Sequence, residues 1–114
     1  MALEIAVREV KDVTIVDVEG TIVLGRDAKK LREAVKKLLA EGKRKILLNV
    51  EKVSDIDSTG VGTLVASFTS ARGLGGELKL NKLNSKFRQA LLVTRLLTVF
   101  EVYDDETEAV AQFH

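Results

Sequence analysis

The stretch VSDIDSTGVGTL, residues 53–64, leads from an apolar strand into a helix. Asp57 is the candidate N-cap, because an aspartate side chain accepts hydrogen bonds from the free N–H groups of a helix start. Gly60 and Gly62 follow at once, although glycine in a helix interior costs about 1 kcal/mol relative to alanine. The two glycines are either a tolerated weakness or a requirement for close approach by another backbone.

The residues before this stretch predict a hairpin, a helix and a central strand. The runs EIAVREV and VTIVDVEG are rich in β-branched residues and predict two paired strands that end at Gly20. Helical spacing of apolar residues predicts a helix from Asp27 to Glu41, with Asp27 as its cap and Gly42 just beyond its end. The run KILLNV, residues 45–50, is apolar almost throughout, which is typical of a central strand covered on both faces.

The residues after it continue the alternation of helices and strands. An apolar helix is followed by a strand from Glu77, a helix capped by Ser85, a strand over Val99–Tyr103 and a helix that starts at Asp104 or Asp105. This order predicts an α/β fold, in which a mixed sheet of about four to five strands opens with a β-hairpin and packs against about four helices.

Length and composition set the expected class of protein. The chain has 114 residues, without proline, cysteine or tryptophan, and we expect residues 1–114 to form a single domain. Its 18 basic and 17 acidic residues nearly cancel, so the overall charge favours neither direct nucleic-acid binding nor an anionic membrane as partner. No signal peptide or membrane-spanning run is recognisable, and we expect a cytoplasmic protein without membrane insertion.

Catalytic and metal-binding interpretations find little support. Ser58 lacks a general base, because the single histidine is His114 at the C-terminus. Asp55 and Asp57 share one side of an extended chain, but further oxygen ligands for a cation are missing, and solvation of Asp55 and capping by Asp57 are the simpler roles. Val65 stands where a dinucleotide-binding motif has its third glycine. We therefore expect no enzymatic activity, no cofactor and no metal.

The helix that follows Asp57 has an unusual surface, since no charged residue occurs from Ser58 through Ala71 in a chain that is 31% charged. A helical wheel places two sets of small residues beside its apolar face: a stripe of Ser58, Gly62, Ala66 and Thr69, and an outer surface of Thr59, Thr63, Ser67 and Ser70. Either neighbouring elements bury this helix, or its surface docks another protein. We favour docking, with a phosphorylatable hydroxyl at the helix start.

At these residues the sequence resembles the STAS-domain anti-sigma factor antagonists of bacteria. VSDIDSTGVGTL carries the resemblance, and KILLNVEKVS, GGELKLNKLNSKFRQALLVTRL and VFEVYDDETEAV extend it along nearly the whole chain. The resemblance implies the STAS fold and transcription regulation by partner switching. In that cycle the unphosphorylated antagonist binds an anti-sigma factor that is also a serine kinase, which frees a sigma factor. Phosphorylation ends the binding, and a PP2C-type phosphatase restores the active form.

By position in the motif, Ser58 resembles the phosphoacceptor of this family. The implied partner-binding residues are Asp57, Ser58, Thr59, Gly60, Gly62, Thr63 and Ala66. The protein is then a kinase and phosphatase substrate rather than an enzyme, and we expect a monomer or weak dimer. Thr21 and Val23 depart from the family pattern, which has acidic residues in this loop. The alternative is a constitutive STAS subunit or scaffold component of a larger assembly, of the stressosome or transporter-associated kind.

Overall fold

The structure is a computed structural model that describes residues 3–113. Its strands are β1 (Glu4–Val10), β2 (Val13–Ile22), β3 (Lys45–Ile56), β4 (Glu77–Asn81) and β5 (Val102–Tyr103). Its helices are α1 (Arg26–Ala40), α2 (Ser58–Gly73), α3 (Ser85–Val93) and α4 (Glu106–Ala111). The predicted α/β fold with a mixed sheet and a leading hairpin is confirmed.

The sheet has the order β1-β2-β3-β4-β5, in which β1 and β2 are antiparallel and all other neighbours are parallel. The hairpin turns at Lys11 and Asp12, and Lys11 adopts a positive φ of 58° that closes the tight connection. Strand β2 continues beyond Gly20 to Ile22. This extension carries the chain to the edge of the sheet at which β3 also ends.

Strand β3 occupies the centre of the sheet and is covered on both faces in its first half, as its apolar run predicts. Ile46 and Leu48 belong to the larger core, which α1, α2 and α3 form with one face of the sheet. Leu47 points the other way and packs in a smaller cluster with residues of α4 and the start of β2. The alternation follows from the two-residue period of a strand.

Two helix caps differ from the sequence-based predictions. Helix α1 begins at Arg26 after Gly25, which has a φ of 100°, so Asp27 is not its cap. The Asp27 carboxylate instead accepts hydrogen bonds from the Thr21 hydroxyl at 3.0 Å and the Leu3 amide at 3.4 Å. Helix α3 is capped by the residue before Ser85, Asn84, whose side chain accepts a bond from the Phe87 amide at 2.9 Å.

The last strand is shorter than predicted, because only Val102 and Tyr103 of the segment Val99–Tyr103 pair with β4. Phe100 is instead buried in the larger core, where its ring meets that of Phe68 edge-on at 5.2 Å. This packing draws the segment inward and leaves Val99 exposed. The final helix is capped by Asp105, one of the two predicted start residues.

Candidate functional site

The ends of β2 and β3 bring two separate parts of the chain together. Because the two strands are parallel, Ile22 lies beside Ile56, and the residues that follow each strand leave the sheet at the same edge. The Asp57 amide donates to the Ile22 carbonyl at 3.3 Å. The loop after β2 therefore lies against the first turn of α2.

Asp57 fastens this loop to the helix. One carboxylate oxygen accepts a hydrogen bond from the Gly60 amide at 2.9 Å, which confirms the predicted N-cap, and the other accepts from the Leu24 amide, also at 2.9 Å. These two backbone bonds stabilise the ionised carboxylate and hold the pKa of Asp57 below its usual value. The helix start and the loop consequently share one side chain.

The predicted site residues lie mostly on the accessible side of α2. Ser58, Thr59 and Gly62 are exposed, and the half-buried members of the predicted set are Asp57, Thr63 and Ala66. Ser58 is the first residue of the helix, so its hydroxyl lies beside backbone N–H groups at the positive end of the helix dipole. The accessible part of this first turn presents only small side chains and the Asp57 carboxylate.

Gly60 differs from the rest of the predicted set because it is buried. A Cβ at this position would overlap the Ile22 carbonyl oxygen and lie 2.8 Å from Cγ1 of Ile56. A Cβ at Gly62 would have no neighbour within 4 Å. Close approach therefore explains one glycine but not the other, and Gly60 is an internal packing residue rather than part of the surface.

The wheel prediction for Ser67 was wrong, because this residue is completely buried. The covered face of α2 contains Gly60, Leu64, Ser67 and Ala71, at spacings of three and four residues, whereas Val65 and Phe68 are only partly buried. Helix α1 packs along α2. Small residues on the covered face fit a closely packed helix, so part of the small-residue pattern has a structural cause.

A hollow of about 330 Å³ opens beside Ser58, between the start of α2 and helix α3. Its apolar lining comes from Ile56, Val61, Ala90 and Val93. Its polar groups come from Asp57, Ser58, Lys86, Gln89 and Thr94. Val93 is 71% exposed, and Leu24 in the neighbouring loop is 74% exposed. Exposed apolar groups thus accompany the Ser58 hydroxyl, a combination found where proteins contact one another.

Two further observations concern metals and membranes. Within residues 3–113, no cluster of three or more His, Cys, Asp or Glu side chains is arranged to hold a metal ion. None of the helices described for this part of the chain has the length and apolar character needed to cross a bilayer.

Comparison with known proteins identifies the family. The model of the STAS domain matches residues 4–109. This chain therefore belongs to the STAS domain family. A homologue of TM1081 from Thermotoga neapolitana, named provisionally as an anti-sigma factor antagonist, is 32% identical over 74 residues. That match covers 65% of this chain and 66% of the relative, slightly less than two thirds of the relative's length.

Solved structures agree with this assignment. The crystal structure of TM1081 from Thermotoga maritima, a protein with the same provisional name, has a TM-score of 0.87 and 27% identity, and the match covers 96% of this chain and 93% of that one. Phosphorylated SpoIIAA from Bacillus has a TM-score of 0.73 over 96% of this chain and 98% of its own. At 17% identity, SpoIIAA supports the fold alone.

Proposed function

We propose that this protein is an anti-sigma factor antagonist that works by partner switching. The main observation in support is an exposed serine, Ser58, at the first position of α2. The accessible surface of this helix bears no long charged side chain close to Ser58. The names of the Thermotoga relatives support the same function. In this proposal the unphosphorylated protein binds an anti-sigma factor with serine kinase activity and releases a sigma factor.

The contact surface in this proposal comprises the accessible members of the predicted set, which are Asp57, Ser58, Thr59, Gly62, Thr63 and Ala66. Leu24, which bonds to Asp57, and the hollow that Ser58 and Val93 line both extend it. Small side chains let a partner backbone approach closely, and the apolar groups supply area whose burial stabilises the complex. The protein itself acts in the cytoplasm as one domain and as a monomer or weak dimer.

The switch is a phosphoryl transfer in both directions. The kinase transfers the γ-phosphoryl group of ATP to Oγ of Ser58, ADP leaves, and the hydroxyl proton is released. A PP2C-type phosphatase then uses water to cleave the phosphate ester, which restores the hydroxyl and releases inorganic phosphate. The protein is a substrate in both reactions and supplies no catalytic group to either.

Phosphate at Ser58 opposes binding for an electrostatic reason. It adds about −1.5 to −2 charges at pH 7 beside the Asp57 carboxylate. In the free protein, water and the N–H groups of the helix start solvate this charge. A partner that covers the same turn removes the water without removing the charge, so the complex is destabilised more than the free protein.

The test is binding of purified variants to the cognate kinase in the presence of ATP, together with intact-mass analysis of the protein from its own host. Ser58→Ala should remain bound, and phosphoserine at position 58 should weaken binding at least tenfold. Thr59→Ala is the control and should still be phosphorylated and released. Equal affinity of the Ser58→Ala and phosphoserine forms would refute the switch.

Gly62→Lys tests the docking surface separately from the phosphate. Because a side chain at position 62 meets no neighbour within 4 Å, the variant should fold normally and lose binding. Unaltered binding by a folded Gly62→Lys protein would show that this face of α2 is not in the interface.

A constitutive role in a larger assembly is the second candidate. Thr21 and Val23 stand where the resembled antagonists have acidic loop residues, and the Thr21 hydroxyl is engaged with Asp27. A partner that recognises this loop therefore differs from the kinases of those antagonists. Absence of phosphate on Ser58 in host cells during both growth and stress would favour this role over the switch.

A further inference from the structure

We propose that Lys86 is the side chain that pairs with a phosphate on Ser58. The inference rests on the proposed function and concerns its regulation. Ser58 and Lys86 line the same hollow, one from the first position of α2 and the other from the first turn of α3. The Lys86 side chain is 68% exposed, and its Nζ lies 3.9 Å from the nearest oxygen of Asp55. This long, solvated ion pair leaves the ammonium group available to a stronger anion.

The charged groups around Ser58 favour Lys86 as the partner of the phosphate. Asp57 directly precedes Ser58 and Asp55 lies near Lys86, so both carboxylates oppose another anion close to them. Arg26, the first residue of α1, is another cation near the loop that follows β2. Asp57 already accepts two backbone hydrogen bonds. A phosphate dianion attracts an ammonium group more strongly than the single charge of Asp55 does, so Lys86 is expected to exchange one for the other.

This exchange alters the surface as well as its charge. A lysine stem is long and apolar, and it packs along hydrophobic surface while its ammonium group reaches a charge. When Lys86 turns toward the phosphate, its stem lies over the hollow that Val61 and Val93 line. Phosphorylation then adds a dianion to the docking surface and also covers an apolar recess beside it.

The experiment uses protein into which phosphoserine has been incorporated at position 58 during translation, so that it requires no kinase. A ³¹P NMR titration measures the second pKa of the phosphate, which is about 6 when unperturbed. A nearby cation lowers this pKa. The variant Lys86→Gln should raise it by about 0.3 to 0.5, as the loss of one exposed ion pair predicts. The difference should vanish in about 1 M salt, where the Debye length is about 3 Å.

Lys52 provides a matched control. Its side chain is 72% exposed and lies 3.8 Å from Glu19, nearly the same environment as that of Lys86, but it does not line the hollow. Lys52→Gln should leave the phosphate pKa unchanged. Arg26→Gln measures the contribution of the first residue of α1 and should change the pKa of the phosphate less than Lys86→Gln does.

An unchanged phosphate pKa in Lys86→Gln would overturn the inference. An equal rise in Lys52→Gln would also overturn it, because the effect would then come from net charge. A larger rise in Arg26→Gln would also overturn it, because the phosphate would then pair with Arg26 at the start of α1. None of these outcomes depends on whether the host phosphorylates Ser58, which mass analysis of the native protein decides, so failure of the proposed function and failure of this inference are distinguishable.

Discussion

The two glycines of α2 allow a paired test of how this helix is placed. Alanine at position 60 puts its Cβ inside contact distance of the Ile22 carbonyl oxygen and 2.8 Å from a side-chain carbon of Ile56. Alanine at position 62 meets nothing within 4 Å. Both substitutions add one methyl group to the same helix, so they differ mainly in the space that surrounds it.

The two substitutions should change the free energy of unfolding in opposite directions. At position 60 the carbonyl belongs to β2 and cannot turn aside, so the start of α2 must move. Such overpacking costs about 1–3 kcal/mol. The movement also strains the bond from the Asp57 amide to Ile22, which contributes about 1 kcal/mol, whereas alanine restores about 1 kcal/mol of helix propensity. We expect Gly60→Ala to lower the free energy of unfolding by about 1–3 kcal/mol and Gly62→Ala to raise it by about 0.5–1 kcal/mol.

Urea unfolding at pH 7 and 25 °C, followed by far-UV circular dichroism, measures both values. Each variant should keep the slope of free energy against urea of the parent protein, which shows that the unfolding transition itself is unchanged. Binding to the kinase partner should be weakened by Gly60→Ala only as far as the displaced helix start distorts the surface. The comparison therefore separates an internal requirement for glycine from a requirement at the interface.

A Gly60→Ala protein as stable as the parent would refute the reasoning, because the close approach of α2 to β2 would then not constrain this position. A destabilised Gly62→Ala protein would refute the other half, since the open environment at position 62 predicts a gain. If both variants lost stability equally, the pair would report a general intolerance of α2 to alanine rather than packing against β2.

The remaining predictions concern single interactions. Asp57→Ala should lower the free energy of unfolding by about 1–2 kcal/mol at pH 7, as measured by urea titration. The difference from the parent protein should shrink as the pH falls below about 4. The pKa of Asp57 is lowered in the folded protein, so its contribution to stability is lost once the carboxylate is protonated. Arg8→Met removes the bridge from the hairpin to Glu106, and amide exchange in α4 should accelerate up to about fivefold. Lys79→Met should change the free energy of unfolding, measured by thermal denaturation, by less than about 1 kcal/mol. The substitution replaces a buried cation, and its partner Glu101 is largely solvated and remains hydrated without it.

The order of strands and helices was predictable from local patterns, but the ends of the elements were not. Asn84 and Ser85 are both residue types that cap helices. Contact with β3 favours Asn84, because its side-chain amide group also donates a hydrogen bond to the Val53 carbonyl at 2.6 Å. Asp27 is a competent cap as well, yet the Thr21 hydroxyl engages it from β2. Contacts between distant segments decide between such neighbours, and a single sequence does not display them.

The surface of α2 was predicted in part for the same reason. A helical wheel correctly left Ser58 and Gly62 accessible, but it placed Ser67 on the outer surface, where the structure buries it. The covered face of α2 includes Gly60 and Ser67, because small residues permit a closer approach of the packed elements than bulky ones do. Residue size therefore defines the covered side of this helix as much as hydrophobicity does.

The neighbours of Ser58 are distant in sequence, which explains why the sequence predicted only part of the proposed docking surface. Leu24 reaches the site because β2 and β3 are parallel and end together, and Lys86 and Val93 reach it because α3 packs beside α2. Asp57 connects these parts, since it caps α2 and holds the Leu24 loop with the same carboxylate. In the proposed switch a phosphate on the next residue acts against that carboxylate, so one modification influences the helix start, the loop and the hollow together.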